Sequence, residues 1–379
     1  MSKDESYQKF LEWVNSPLSE FPESESKMPM ITAFISPEEA EFLTGIPMTS
    51  KTLEEIAGIK EMDPDDCEAK LKRFCEKGVI YQGIRGDSVR YRLLDPFQMF
   101  FRMPYWPGKE DEPLKSTVPH ANRYYMDGLQ DQNKPVRRKG LRSIPINTTL
   151  EDTKALLPFE DISSVVEKFE YYTVSHCPCR MRHDLDPEYE KSSYPSEVCL
   201  HFDELGRHIV ENGLGREITK EETLEILKKA ADAGLVHGIS NYEEKPDTIC
   251  NCDPLHCTMF KPYHQLGHDK SMDQSNYQIK VTPETCKACG ICARHCPMDA
   301  IQFKVSPKAK NKFCKAVEAN TDLCVGCGVC VHKCPTDSLV LERRQEVTTP
   351  PKDVREYTRL MLADRAAAKE EATEETQRK

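Results

Sequence analysis

Residues 286–297 read CKACGICARHCP, and residues 324–335 read CVGCGVCVHKCP. Both are C-x2-C-x2-C-x3-C-P. Gaps of two residues let a loop curl so that three thiolates reach three corners of one iron–sulfur cube, while the fourth cysteine lies past the turn and serves the other cube. This spacing assigns Cys286, Cys289, Cys292 and Cys334 to one [4Fe-4S] cluster, and Cys324, Cys327, Cys330 and Cys296 to a second. A pair of zinc knuckles would need separate tetrahedral sets of four, without a crossed three-plus-one spacing. Gly290, Gly326 and Gly328 suit loops whose backbone passes close to cluster sulfur.

The phrase resembles the bacterial two-cluster [4Fe-4S] ferredoxins. CPMDAI and CPTDSL resemble that family's turn after the fourth cysteine, and ANTDLCVGCGVC its lead-in. The resemblance spans about residues 278–343. The join between the two runs, KVSPKAKNKFCKAVEAN, is longer than in compact ferredoxins. It holds Lys304, Lys308, Lys310, Lys312 and Lys315 and reads as a solvated loop or as a docking surface for an acidic partner. Cys314, which lies in no motif, is expected to be a small buried residue.

A second cysteine group precedes these runs: SHCPCR (Cys177, Cys179), EVCLHF (Cys199) and ICNCDPLHC (Cys250, Cys252, Cys257), with His176, His183, His201 and His256 nearby. Two C-x-C dipeptides in one region argue for a metal. Cysteine and histidine suit zinc by type, and a third [4Fe-4S] cluster is the preferred reading. The stretch from CPCR to ICNC resembles a module of multidomain ferredoxin-like proteins of anaerobes, in which CxCR and CNC segments flank a small helical domain. That pattern carries cysteines where Asp253, Leu255 and His256 stand here. The resemblance implies Cys177, Cys179, Cys199 and one of Cys250 or Cys252 as ligands, with Cys257 in reserve. Arg180 is a candidate cation beside an anionic cluster.

Composition limits the alternatives. The chain has 379 residues, a formal charge of -11 and 17 cysteines, of which only Cys67 and Cys75 precede Cys177. A disulfide framework would not bunch this way, and clustered cysteines in a reducing compartment more often bind metal. No stretch approaches the roughly 20 apolar residues of a membrane span. The charged start, MSKDESYQKFLEW, lacks the features of an export signal. The expected location is the cytoplasm, oxygen-poor by preference.

The remaining elements must position the cysteines. Ser36, Pro37 and Glu39 open a helix with a capping box. Asp63 and Pro64 open another, whose apolar side is Cys67, Leu71, Phe74 and Cys75 and which Gly78 ends. Strand, Gly-Asp turn and strand follow in VIYQGIRGDSVRYRLL. Helix, helix, hairpin resembles a winged helix. Residues 49–94 carry nine acidic and nine basic side chains, too neutral a face to neutralise phosphates, so no nucleic acid is expected. LKKAADAGLVHGI (227–239) echoes LKRFCEKGVIYQGI (71–84), with Thr219 and Glu222 as a capping box. Ile162, Val165, Val166 and Phe169 share one helical face, and YYTV runs as a strand into SHCPC.

The fold class expected is α+β. Residues 1–102 form a winged-helix-like domain, 103–160 a Pro- and charge-rich surface linker, 161–277 a small α/β cysteine module, 278–345 a ferredoxin-like 2[4Fe-4S] domain and 346–379 a charged tail. Tyr357, Leu360 and Met361 give the tail an apolar face for a partner. No GxGxxG, Walker loop or nucleophile elbow is present. The function expected is single-electron relay by an iron–sulfur protein or subunit of an oxidoreductase complex, with a flavoprotein, hydrogenase or other oxidoreductase subunit as partner. A redox-sensing winged-helix regulator and an enzyme with an open-site cluster at the CxCR/CNC centre are the alternatives.

Overall fold

The computed structural model of the chain describes residues 3–15, 21–130, 133–146 and 159–377. It is mixed helix and sheet, of the α+β class. Among the described residues, no helix is long and apolar enough to cross a membrane.

The N-terminal part packs helices Lys3–Val14, Lys27–Phe34, Pro37–Leu43, Leu53–Lys60 and Pro64–Glu76 with a hairpin of β1 (Ile80–Arg85) and β2 (Ser88–Leu93). The local signals act as read. Ser36 Oγ accepts from Glu39 N–H while Glu39 returns the bond to Ser36 N–H. Asp63 caps the next-but-one helix with Pro64 behind it, and Cys67, Leu71, Phe74 and Cys75 are all buried there. Burial pushes the Cys75 thiol up to about 12, so it behaves as a small apolar group.

Residues 103–127 depart from the expected surface linker. A 3-10 turn, Met103–Tyr105, and a helix, Glu112–Asp127, bury Tyr105, Trp106, Tyr124 and Tyr125 in the same core as the N-terminal helices. Proline at the second position of that helix and charge on its outer face gave the segment a loop-like composition. The buried stripe Leu114, Val118, Ala121 and Tyr125, at helical spacing, is what folds it inward.

The central sheet is built from β3 (Leu141–Ser143), β4 (Tyr172–His176), β5 (Glu197–Phe202), β6 (Arg216–Ile218), β7 (Val236–Ser240) and β8 (Thr248–Cys252). Its strand order is β3-β7-β8-β5-β4-β6, antiparallel throughout. One face is covered by the short helix Ile162–Val166, whose Ile162, Val165 and Val166 are buried, and by the helix Lys220–Ala233. The latter carries the first half of the echoed phrase, and Gly234 ends it in the left-handed region before β7. Thr219 accepts from Glu222 N–H there, which is half of the expected box.

Two smaller ribbons complete the chain: β9 (Tyr277–Val281) with β12 (Leu339–Arg343), and β10 (Ile301–Val305) with β11 (Lys315–Ala319). The last helix, Val354–Gln377, lies back on the chain, with Arg137 N–H donating to Asp364 Oδ2 at 2.8 Å. Tyr357 and Met361 line a cavity with Tyr125, Lys139 and Gly140, so the apolar face expected to grip a partner faces this chain.

Candidate metal centres

The two repeated cysteine phrases fold as one motif used twice. In each, a glycine with φ of 78°, Gly290 or Gly328, opens a helix of four residues, Ile291–Arg294 or Val329–His332. Two residues earlier, Ala288 (φ 53°) and Gly326 (φ 69°) share the left-handed region, as do Asp299 (φ 51°) and Asp337 (φ 48°) after the fourth cysteine. These kinks at equal offsets turn each loop back so that its first three thiols face one space.

One cavity of 20 Å³ is walled by Cys286, Cys289, Cys292 and Cys334. A second, also of 20 Å³, is walled by Cys324, Cys327, Cys330 and Cys296. Each therefore takes three cysteines from one phrase and the fourth from the other. The walls are otherwise mostly apolar, and Ala300 N–H donates to Cys296 Sγ at 3.3 Å. Burial pushes the Cys327 thiol up to about 12 and the Cys292 thiol to about 11. Such thiols become thiolates only beside a cation, and a coordinating metal deprotonates them outright. The donor set, number and apolar setting fit iron–sulfur clusters.

Residues 285–338 match the family described as 4Fe-4S dicluster domain. The chain thus carries a ferredoxin-type domain in its C-terminal half, with [4Fe-4S] clusters as its cofactors and an electron-transfer role suggested. No curated protein and no solved structure proved similar to the chain.

Outside the ferredoxin-type segment, the sheet gathers the remaining six motif cysteines. β5 lies between β4 and β8, so Cys199 on β5 comes between Cys177, which follows β4, and Cys250 and Cys252 on β8. Side chains two apart on a strand share a face, which gives the second C-x-C its meaning. Asn251 points the other way, accepting at Oδ1 from His237 Nδ1 at 2.6 Å and donating to Val198 O at 2.7 Å. Burial drives His237 down to about 4, so the neutral ring is the form that donates there. Cys177 is the N-cap of the helix Pro178–Asp184, whose first turn holds Cys179. Cys257 follows β8 on a turn and accepts at Sγ from Met259 N–H at 3.3 Å.

All six cysteines line one cavity of 140 Å³. As electrostatic neighbours they run Cys177, Cys179, Cys257, Cys252, Cys250 and Cys199 around its wall, and Cys199 also feels the charge of Cys177. The thiols make a ring. Hydrogen bonds from their neighbours pull Cys179 and Cys250 down and hold Cys177, Cys199, Cys252 and Cys257 up. Among the described residues, no three His, Cys, Asp or Glu side chains converge on a point suited to a single ion. The ring thus surrounds a space.

The sequence candidates sort cleanly around it. Cys250 and Cys252 both line the cavity, and so does Cys257, the reserve ligand. The four nearby histidines do not. His256 is held by Asp253 Oδ1 at 2.6 Å, His183 stacks on Tyr189, His176 meets Ser196 Oγ at 3.2 Å, and His201 packs on Trp106. Arg180 is in the wall and fully buried, its Nη1 2.9 Å from Asp253 Oδ2 and its Nη2 donating to Asn251 O at 3.1 Å. Asp253, standing where the resembling module carries cysteine, is the partner of that arginine.

Sequence reasoning missed Arg102. Burial works to lower its pKa, and the charges of Cys250, Cys199, Asp247 and Cys179 together outweigh this, so the guanidinium stays charged beside the thiols. It belongs to the segment read as a linker, and nothing local in MFFRMPYW marks it. Cys314 is a plain correction. It is exposed, on the hairpin turn with φ of 48°. The long join forms the β10–β11 ribbon, and its lysines and aromatic Phe313 take the solvent side.

Proposed function

We propose that the chain relays single electrons through three metal centres set in a row. The observation that carries this reading is the sharing of apolar cores between successive cavities. Cys252 and Cys257 of the six-thiol ring are buried in one core with Cys327, with Cys296 and Cys324 at its edge. Cys330 lies in the next core with Cys286 and Cys292. The order is thus the six-thiol cavity, then the Cys324, Cys327, Cys330 and Cys296 set, then the Cys286, Cys289, Cys292 and Cys334 set. These sets would hold a third cluster and the two ferredoxin-type cubanes respectively. When bound, the clusters supply one-electron chemistry. The chain supplies thiolates, buried cations and apolar surroundings, which tune potential.

The outer end supports contact with an external carrier. Cys289 is exposed. The β10–β11 ribbon beside it presents Phe303, Val305 and Phe313 at the surface among five lysines. Lys304 is tied to Glu318 at 2.9 Å. On a chain of net charge -11, this patch suits an acidic redox partner.

The test is anaerobic isolation with iron, zinc and sulfide counted per chain, followed by reduction and EPR. Two loaded cubanes give roughly eight irons and spectra of interacting clusters. A colourless protein with stoichiometric zinc would sink the relay.

One observation favours a second reading, an enzyme at the six-thiol centre. A larger cavity of 410 Å³ shares Phe97, Gly140, Thr258 and Met259 with the six-thiol cavity. A spectral change of the cluster on adding a thiol or a disulfide supports catalysis there. An unchanged spectrum leaves the relay alone.

A further inference from the structure

We propose that the six-thiol cavity binds one iron–sulfur centre larger than a cubane, with Cys177, Cys179, Cys199, Cys250, Cys252 and Cys257 all as ligands. The inference rests on the reading that this cavity is an iron–sulfur site, and goes beyond it in size and ligand number.

The first observation is the ring itself. Cys177 and Cys179 at the start of one helix, Cys199 on β5, Cys250 and Cys252 on β8, and Cys257 on the turn after it all line the same cavity. No set of four stands apart from a spare pair. Each C-x-C segment brings two thiols to the wall, and Cys199 and Cys257 add one each.

The second observation is a yardstick within the same molecule. The two four-thiol cavities measure 20 Å³ each, against 140 Å³ for the six-thiol cavity. The protein shapes a tight cradle where four thiols match one cubane. It shapes a much larger one where six thiols meet.

The third observation is charge. Thiolates and a reduced cluster place several negative charges in a buried site, which is costly unless cations face them. Arg180 is in the wall, and Arg102 lies beside Cys250, Cys199 and Cys179. Of the four-thiol cavities, one has no cation in its wall and the other only the exposed Lys287.

The coordination arithmetic agrees. Each iron of a cubane takes one external ligand, so one cubane uses four thiolates. Two cubanes joined through a bridging sulfide each give up one external thiolate. Six corners remain, and six cysteines meet them.

The experiment uses the full chain, isolated without oxygen. Iron and acid-labile sulfide are counted, and native mass spectrometry reads the most fully loaded species. The expected total is about sixteen irons, eight of them in the ferredoxin-type cubanes. A fully loaded species with about twelve irons overturns the larger centre while leaving a third cluster intact. About eight irons, with or without zinc in the ring, overturns the larger centre and the third cluster together. Single Cys→Ser variants at the six positions supply a second readout. All six are expected to lose iron or change the cluster spectrum while the ferredoxin-type iron, which reports folding, is retained. Two silent positions among folded variants overturn the proposal, and the parent's loaded mass decides it should the variants fail to fold.

Discussion

Gly326→Ala separates two reasons for a glycine in a cluster loop. Gly326 has φ of 69°, and a Cβ there would strike Ser275 Oγ and Tyr277 O and lie 3.0 Å from Tyr277 C. The first cost is conformational, about 1–2 kcal/mol for an L-residue in the left-handed region. The protein itself bounds this cost, because Ala288 occupies the matching position of the first phrase at φ of 53°. The second cost is overpacking, about 1–3 kcal/mol or more. Ser275 can swing its hydroxyl away only by giving up its bond to Gly326 O at 2.9 Å. Tyr277 O is backbone and heads β9, so it cannot yield without moving the ribbon. The sum, about 2–5 kcal/mol, is a large part of ordinary domain stability. Gly86→Ala is the control, since its φ is 62° and nothing lies within 4 Å of a Cβ there. The assay compares thermal unfolding and iron per chain in the two variants. Gly86→Ala should lose only the conformational part and keep its iron. Gly326→Ala should lose several degrees more and the iron of the Cys324, Cys327, Cys330 and Cys296 set. Equal melting temperatures and equal iron would refute the steric argument.

Four further outcomes are expected. Arg180→Leu takes the buried guanidinium from Asp253, which keeps His256 at 2.6 Å, and should cost about 3 kcal/mol in chemical denaturation, with Asp253→Asn in the same chain recovering part of the loss. Burial lowers His208 to about 4; its Nδ1 accepts from Gln82 N–H at 3.1 Å. The unfolded chain therefore binds the extra proton first, and stability complete above the ordinary histidine range falls as pH drops towards 4. Between pH 7 and 5 the wild type should lose about 2 kcal/mol more than His208→Asn, and parallel pH profiles would refute this. Cys314→Ser should leave iron and spectra unchanged, whereas Cys289→Ser should lower both. Reversing Lys308, Lys310 and Lys312 to Glu should slow oxidation of the reduced protein by an anionic complex about tenfold at low salt, with the difference closing as salt is added.

Some of this was legible in the sequence for physical reasons that can be named. Capping at Ser36 and Asp63, the apolar stripe through Cys67 and Phe74, and the turn at Gly86 and Asp87 are short-range effects. The crossed spacing of the repeated phrases is likewise local, and three thiols of each phrase do meet in one cavity with the fourth of the other. What stayed hidden depends on register between distant segments. CNC does not announce that it lies on a strand, nor that β8 will pair with β5 and bring Cys250 towards Cys199. Arg102 reaches the thiols because Trp106 O accepts from His176 N–H at 3.0 Å, a contact no pattern in either segment signals. Cys314 looked apolar by type, but the ribbon turn it occupies carries more lysines than a core could accept.

The contacts between the sheet and the ferredoxin-type segment bear on the relay itself. Ile146 N–H donates to Cys327 O at 3.2 Å, and Tyr263 Oη donates to Met298 O at 3.3 Å. His264 Nε2 meets Pro297 O at 2.9 Å, and His332 Nε2 meets Asp232 Oδ1 at 2.8 Å. These bonds surround an apolar patch in which Phe260, Met298, Val325 and Val329 are buried together with Cys252, Cys257 and Cys327. A surface formed only to hold two modules side by side would keep its polar rim and tolerate water at its centre. Here cysteines of the six-thiol cavity and of the Cys324, Cys327, Cys330 and Cys296 set are themselves part of the apolar contact, so neither cavity keeps its wall if the modules part. On the proposed relay, burial of this kind would keep water from reorganising as charge moves and would fix the distance between the two cavities.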